Sequence, residues 1–368
     1  MTNVYIHNPS ITKFGKLNAG VMDIALQTGR SVLENFDSDQ IDLFILSTFA
    51  PEVYTHEFHL AAKIASQLNL KQVFCTRSET ASSSGASAVH LAYYLLQSGQ
   101  FKNALVLGAE SMSQLSREVN NLTLGSVLSE AQIKFSMSMA QGAAMIANLY
   151  LHNYQYDKSD LFYIAEKLHE NGSKNKYAHL QKPITREDYE KAPVFSYPLN
   201  LYDISPISDG GAGLILSTEK RSGLRILGTG HGHTDFHNLN MEPSFHSSRT
   251  AFEKAYKSSN IKSHQIEIAE LHDAFTIFEV IGGEDAGLFP RGKGLEFVKS
   301  GETHPNGSIP INVSGGLKTR GHPIGASGIA QIVEISGLMK RKNKSLGLTH
   351  SIGGLATNNF ATIIENSG

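Results

Sequence analysis

The chain has a single cysteine, Cys75, in 368 residues, so it forms no internal disulfide and builds no cysteine-ligated metal site. That fits a reducing compartment. Neither sign of charge is in excess, and a formal net charge of −2 leaves no basic footprint for nucleic acid. Long apolar runs are missing too, since no window reaches the roughly 18 residues of a membrane span. Residues 1–10 lack the basic stretch and apolar run of a secretory leader, and the final Glu365-Asn-Ser-Gly368 is not a peroxisomal tripeptide. From these absences we expect a cytoplasmic protein that touches neither membrane nor nucleic acid. The sequons Asn171-Gly-Ser173 and Asn312-Val-Ser314 are then chance matches.

What is present is a 40% hydrophobic composition, enough for a large core, best divided between two fused halves. Short apolar strands alternate with longer helical patterns, as an α/β architecture requires. Residues 41–46 and 103–107 read as buried strands. Between them 60–68 and 83–96 read as helices, the second with Val89, Ala92, Tyr93 and Leu96 at i, i+3, i+4, i+7. From about 113 to 200 the pattern turns polar and irregular, too long for a connection within a compact domain, so it reads as an inserted subdomain. Alternation resumes with a strand at 212–216, and a second half begins near Leu224. The expected division is 1–218 and 219–368. Strands of the second half read at 267–271, 345–349 and 360–364. Ser84-Gly85 and Ser327-Gly328 each open an amphipathic helix after a small-residue loop, a faint echo between the halves.

The densest signal is Asn312-Val-Ser-Gly-Gly-Leu-Lys-Thr-Arg-Gly-His-Pro-Ile-Gly-Ala-Ser-Gly328. Its glycines permit close approach and positive φ, and Pro323 stiffens the segment that carries His322. Such a loop holds one imidazole still. The segment resembles the Gly-His-Pro signature of the thiolase superfamily, enzymes that make or break carbon–carbon bonds beside a coenzyme A thioester. Ala104-Leu-Val-Leu-Gly-Ala-Glu-Ser-Met-Ser113 and Asp203-Ile-Ser-Pro-Ile-Ser-Asp-Gly-Gly-Ala-Gly213 resemble the sterol-carrier-protein-2 type. Leu271-His-Asp-Ala-Phe-Thr276 stands where the family has Asn-Glu-Ala-Phe. His350-Ser-Ile-Gly-Gly354 is similar to an archaeal acetoacetyl-CoA thiolase form. The resemblance implies a five-layer αβαβα sandwich made of two similar halves.

At the nucleophile the chain departs from the family. The thiolase Glu-x-x-Cys-x-Ser-Gly segment is matched by Glu79-Thr-Ala-Ser-Ser-Ser-Gly85, which puts Ser82 at the cysteine position. A hydroxyl is far harder to ionise than a thiol of pKa about 8.5, and a helix dipole contributes only about 1 kcal/mol, so Ser82 needs a general base. His322 is the natural one. Three readings of Ser82 stand side by side: a nucleophile, a simple helix cap in a diverged site, or a replacement for an original cysteine. Cys75, seven residues upstream, reads as a packed small hydrophobe.

The resemblance supplies the remaining candidates. The family's second reactive cysteine corresponds to Ser351, which is no base unaided. His350 beside it and His272 across the pocket are the alternatives, and His272 is expected with His322 around the thioester oxygen. The backbone N–H groups of Ser82 and Gly353 would form an oxyanion hole. Ser314, Gly315 and Gly316 are the expected coenzyme A contacts, and Asp273 is expected to fix His272 or the backbone. His231, His233 and His237 suggest metal spacing at first sight, but the family uses no metal and no cofactor beyond coenzyme A as substrate or product. The leading expectation is an acyltransferase working by acyl transfer and Claisen chemistry on acyl-CoA. A retro-aldolase-type lyase without covalent acylation and a non-catalytic CoA-binding partner subunit are the alternatives. Relatives imply a homodimer or tetramer, and a possible zinc-ribbon/OB-fold partner protein.

Overall fold

The computed structural model describes residues 2–234 and 242–368. Its strands among these residues are β1 (Val4–Ile11), β2 (Leu43–Ser47), β3 (Phe74–Ser78), β4 (Asn103–Glu110), β5 (Val194–Ser196), β6 (Leu199–Asn200), β7 (Gly210–Ser217), β8 (Leu224–His233), β9 (Ile268–Glu270), β10 (Leu346–Ser351) and β11 (Asn358–Asn366). Nine pair in the order β3-β2-β4-β7-β1-β8-β11-β10-β9, while β5 and β6 form a separate hairpin. One strand path is run twice. β1/β7 and β7/β4 are antiparallel and β4/β2 is parallel; β8/β11 and β11/β10 are antiparallel and β10/β9 is parallel. The two paths join where Val4 and Tyr5 of β1 pair with Ile226 and Arg225 of β8.

Strands buried on both faces explain the unbroken apolar runs of β2 and β4, every residue of which is buried. Alternation with period two sends Leu43 and Ile45 to one side and Phe44 and Leu46 to the other. On the inner side lie two helices, Ser84–Gln97 and Ile324–Lys342, whose Val89, Ala92, Ile329 and Ile335 pack with Val106 and Leu214 of the first half and Ile268 and Ile364 of the second. On the outer side of the first half, helices Val21–Val32 and Leu60–Gln67 cover Phe44, Leu105 and Ile215. Helix His246–Ser259 covers Leu348, Ala361 and Ile363 of the second half. The result is five layers, αβαβα.

The stretch from 113 to 200 differs from its irregular sequence pattern. It is largely helical, with helices Arg117–Gly125, Glu130–Lys134, Met139–Tyr154, Leu161–Ser173 and Arg186–Lys191. Its apolar stripe is built from small residues: Ala143, Ala144, Ala147 and Leu151 hold helical spacing, and Ser138 starts that helix with a capping box completed by Gln141. Alanines bury without standing out as a hydrophobic run. These helices share a core with Ile277, Phe278, Val280 and Ile281 of the second half, which lays the stretch over the mouth of the site.

Candidate active site

The chain makes a sharp turn before helix Ser84–Gln97, with Ala81 at φ 52° in the left-handed region that non-glycine residues avoid. Ser83 holds the N-cap position, and the Thr80 N–H is taken by Ser84 Oγ at 2.8 Å. The capping reading of Ser82 therefore does not hold. Neither its Oγ nor its N–H has a hydrogen-bond partner among the described residues, and its side chain lines a cavity of about 790 Å³.

His322 lines the same cavity. Gly321 at φ 109° and Pro323 at the N-cap of helix Ile324–Lys342 set its backbone. Its Nδ1 lies 2.7 Å from Ser327 Oγ, and the single hydroxyl proton of Ser327 is donated to Pro323 O at 2.8 Å. Ser327 oxygen can then only accept, so His322 carries its proton on Nδ1 and presents Nε2 as a bare lone pair. Burial, and then the charge of Arg320, push its pKa down to about 3, so the ring is neutral at ordinary pH. A neutral imidazole with a free Nε2 accepts protons before it donates them.

His272 sits one layer deeper, its ring edge-on to His322 at 5.3 Å between centroids, with Nδ1 buried and unbonded among the described residues. Burial and then the neighbouring His322 hold its pKa well below the ordinary value. Asp273 fixes the backbone, accepting the Leu317 N–H at 2.6 Å and the Lys318 N–H at 3.3 Å. Glu110 ties the first half to the His322 loop, accepting from Thr48 Oγ1, Phe49 N and Gly325 N. Arg320 is fully buried behind the loop, its guanidinium 3.9 Å from the Glu270 carboxylate.

The other expected residues lie away from the cavity lining. His350 faces the outer layer, bonded through Nε2 to Ser248 Oγ at 3.0 Å, its ring tilted against Phe252 with 4.7 Å between centroids. It points away because alternate residues of a strand face opposite sides, and Ser351 takes the inner one. Ser351 Oγ donates to Gln331 Oε1 at 2.7 Å. The Gly353 N–H is already directed to Asn358 O at 3.1 Å. Ser314 is held by both oxygens of Glu270, and Gly315 and Gly316 pack under Thr319 and Asp273. Cys75 packs at the edge of the outer apolar cluster. His231 and His233 share one exposed face of β8, while His237 lies outside the described residues. Among the described residues no three His, Cys, Asp or Glu side chains group as metal ligands, and no helix is long and apolar enough to cross a membrane.

Sequence reading missed three wall residues: His169, His179 and Lys318. Lys318 lies inside the glycine-rich motif. His169 and His179 gave no spacing signal, because the fold alone brings them to the cavity.

The family model for the thiolase N-terminal domain matches residues 4–220, and that for the thiolase C-terminal domain-like fold matches 228–366. The chain belongs to the thiolase family. This thiolase is 27% identical over 372 residues to an acetyl-CoA acetyltransferase of Methanothermobacter thermautotrophicus, covering 96% of the chain and 97% of the relative. It is 29% identical to sterol carrier protein 2 of Oryctolagus cuniculus over 74% of the chain and 55% of that protein. Its fold is like that of the solved Ltp2-ChsH2(DUF35) aldolase, with TM-score 0.85 and 19% identity over 99% of the chain and 98% of the other.

Proposed function

We propose that this thiolase transfers acyl groups from coenzyme A thioesters, with Ser82 as acyl acceptor and His322 as its base. One observation carries the proposal: Ser327 locks the His322 tautomer so that a bare Nε2 shares the cavity with the unbonded hydroxyl of Ser82. Ser82 Oγ attacks the thioester carbonyl carbon, Nε2 takes the hydroxyl proton, and the same proton passes to the departing thiolate. The N–H of Ser82, at the turn before a helix, is a donor for the oxyanion. In the carbon–carbon step, with the His272 ring packed edge-on behind it, Nε2, bare again once the thiolate has left with its proton, takes the α-proton of a second acyl-CoA; the carbanion attacks the acyl carbonyl carbon, and Ser82 Oγ leaves with that proton. The family match and the acetyl-CoA acetyltransferase relative support the substrate class. Ser314, Gly315 and Gly316 act by holding the His322 loop, and Ser351 and His350 by bracing β10.

A second reading is a retro-aldolase-type lyase that forms no acyl-enzyme. Serine at both 82 and 351, in place of the family's two thiols, favours it. Ser82→Ala separates the two readings: it abolishes acyl transfer by the first and spares carbon–carbon cleavage by the second. A CoA-binding partner subunit without catalysis predicts binding with no turnover in wild type or in Ser82→Ala.

The exposed edge strand β3, with Phe74 55% exposed, is the surface on which a two-fold copy would extend the sheet, so we place a homodimer there. A zinc-ribbon/OB-fold partner and a cytoplasmic location belong to the same proposal.

A further inference from the structure

In an otherwise largely apolar cavity wall, His169 and Lys318 form a polar corner whose hydrogen-bonding capacity the protein does not use. His169 is 3% exposed and lines the cavity. Its Nδ1 lies 2.9 Å from the Lys182 carbonyl oxygen, which only accepts, so the ring proton is on Nδ1. Nε2 is left as an acceptor, buried and without a partner among the described residues. The ring is held in place edge-on to Tyr202, with 5.3 Å between centroids.

Lys318 lines the same cavity and is 2% exposed. Its Nζ donates to Ile204 O at 2.9 Å, and an ammonium has three protons to give. Its charge is felt at His169, where it is the second cause, after burial, that pushes the pKa down to about 4. Burial pushes Lys318 itself down to about 8, against the opposing pull of Asp203 and Asp273, so it is mainly a cation at neutral pH. The same cavity wall therefore offers one bare acceptor and one cationic donor whose charge reaches it.

We propose that His169 and Lys318 bind a ligand group that is donor and acceptor at once, a hydroxyl or an amide, on the CoA thioester. Its proton goes to His169 Nε2, and its oxygen accepts from Lys318 Nζ. A carboxylate fits poorly, because it would set a second lone pair against Nε2. A bare alkyl chain fits worse, because it would leave both groups unpaired, the situation in which a buried polar site rejects a ligand most strongly. The two sources of such a group are the pantetheine amides of the carrier and a hydroxyl on the acyl chain. The inference rests on the CoA thioester reading above.

The test is titration calorimetry with coenzyme A, a saturated acyl-CoA and the 3-hydroxyacyl-CoA of the same chain length. Wild type is compared with His169→Phe, His169→Gln and Lys318→Met, each checked for native circular dichroism. His169→Phe keeps the ring and removes the acceptor, and it should weaken binding by about tenfold or more. Loss common to all three ligands assigns the group to the pantetheine arm. Loss confined to the 3-hydroxyacyl-CoA assigns it to the acyl chain. Partial recovery in His169→Gln, which restores an acceptor near Nε2, marks hydrogen bonding and not packing as the cause. The proposal is overturned if folded His169→Phe and Lys318→Met bind all three ligands like wild type, or if Gln fails to recover what Phe loses. If wild type binds none of the three, the CoA thioester reading fails first and the corner's assignment falls with it.

Discussion

Gly85 and Gly328 meet backbone against backbone. A Cβ on Gly85 would lie 2.9 Å from the Gly328 nitrogen, and one on Gly328 would lie 2.4 Å from the Ala86 nitrogen and 3.0 Å from the Gly85 carbonyl carbon. These glycines lie near the starts of the two central helices, Gly85 second in its helix and Gly328 fifth, one helix preceded by Ser82 and the other by His322. The closeness of the helix starts brings a residue from each half into one cavity. Gly328→Ala should destabilise the fold by about 1–3 kcal/mol, since backbone cannot move aside as a side chain can. Chemical denaturation reads this directly, and an unchanged midpoint would mean the contact is looser than described.

Ser327→Ala tests the tautomer lock. Without the acceptor at Nδ1, the His322 proton is free to sit on Nε2, where the ring is no longer a base toward Ser82. Turnover should fall by about 10–100-fold, on the scale seen when the group orienting a catalytic imidazole is removed. Nitrogen-15 spectra of labelled histidine should show His322 moving from a pure Nδ1–H form to a mixture. Retention of the pure form would place the lock elsewhere.

His322→Ala removes the base that serves both the acyl-transfer and the carbon–carbon step. The expected loss is about 10²–10⁴ in rate, with the fold retained, because His322 sits in a glycine-rich loop and not on an apolar helix face. Unchanged turnover would leave the thiolase fold standing without this chemistry.

How stability varies with pH separates two sets of buried groups. Burial pushes His90 down to about 3, so it is neutral in the fold but protonates near 6.5 when unfolded. Its contribution is complete above about pH 6.5 and is lost as pH falls toward 3. The stability gap between wild type and His90→Gln should shift against wild type over that window. Glu110 is the opposite case, raised to about 7 mainly by burial. It favours the fold below its unfolded pKa, about 4.5, and the advantage disappears as pH rises through 7, so Glu110→Gln should gain on wild type over that range. Denaturation at a series of pH values checks both signs.

Much of this was legible in the sequence. The run at 103–107 lies inside β4 and that at 41–46 overlaps β2 from Leu43 on, because strands buried on both faces carry continuous apolar residues. The Ser84-Gly85 and Ser327-Gly328 echo marked the two central helices, since only glycine permits their contact. The helices between 113 and 200 were not legible, because alanine at Ala143, Ala144 and Ala147 forms the buried face without a strong apolar period. Placement within a motif was harder to read than the motif itself. His350 and Ser351 are adjacent in one signature, yet strand alternation turns them to opposite faces. Nothing local announces His169, whose place on the cavity wall depends on how helix Leu161–Ser173 packs beneath the His322 loop.

Intact-mass analysis with peptide mapping, after incubation with acetyl-CoA and longer acyl-CoAs, tests the central claim most directly. The account predicts one added acyl group on the peptide that carries Ser82, none in Ser82→Ala, and far more rapid labelling in Ser82→Cys, where a thiol at a helix start is more easily ionised. Failure of both folded wild type and Ser82→Cys to acquire an acyl group from any of these thioesters would contradict it.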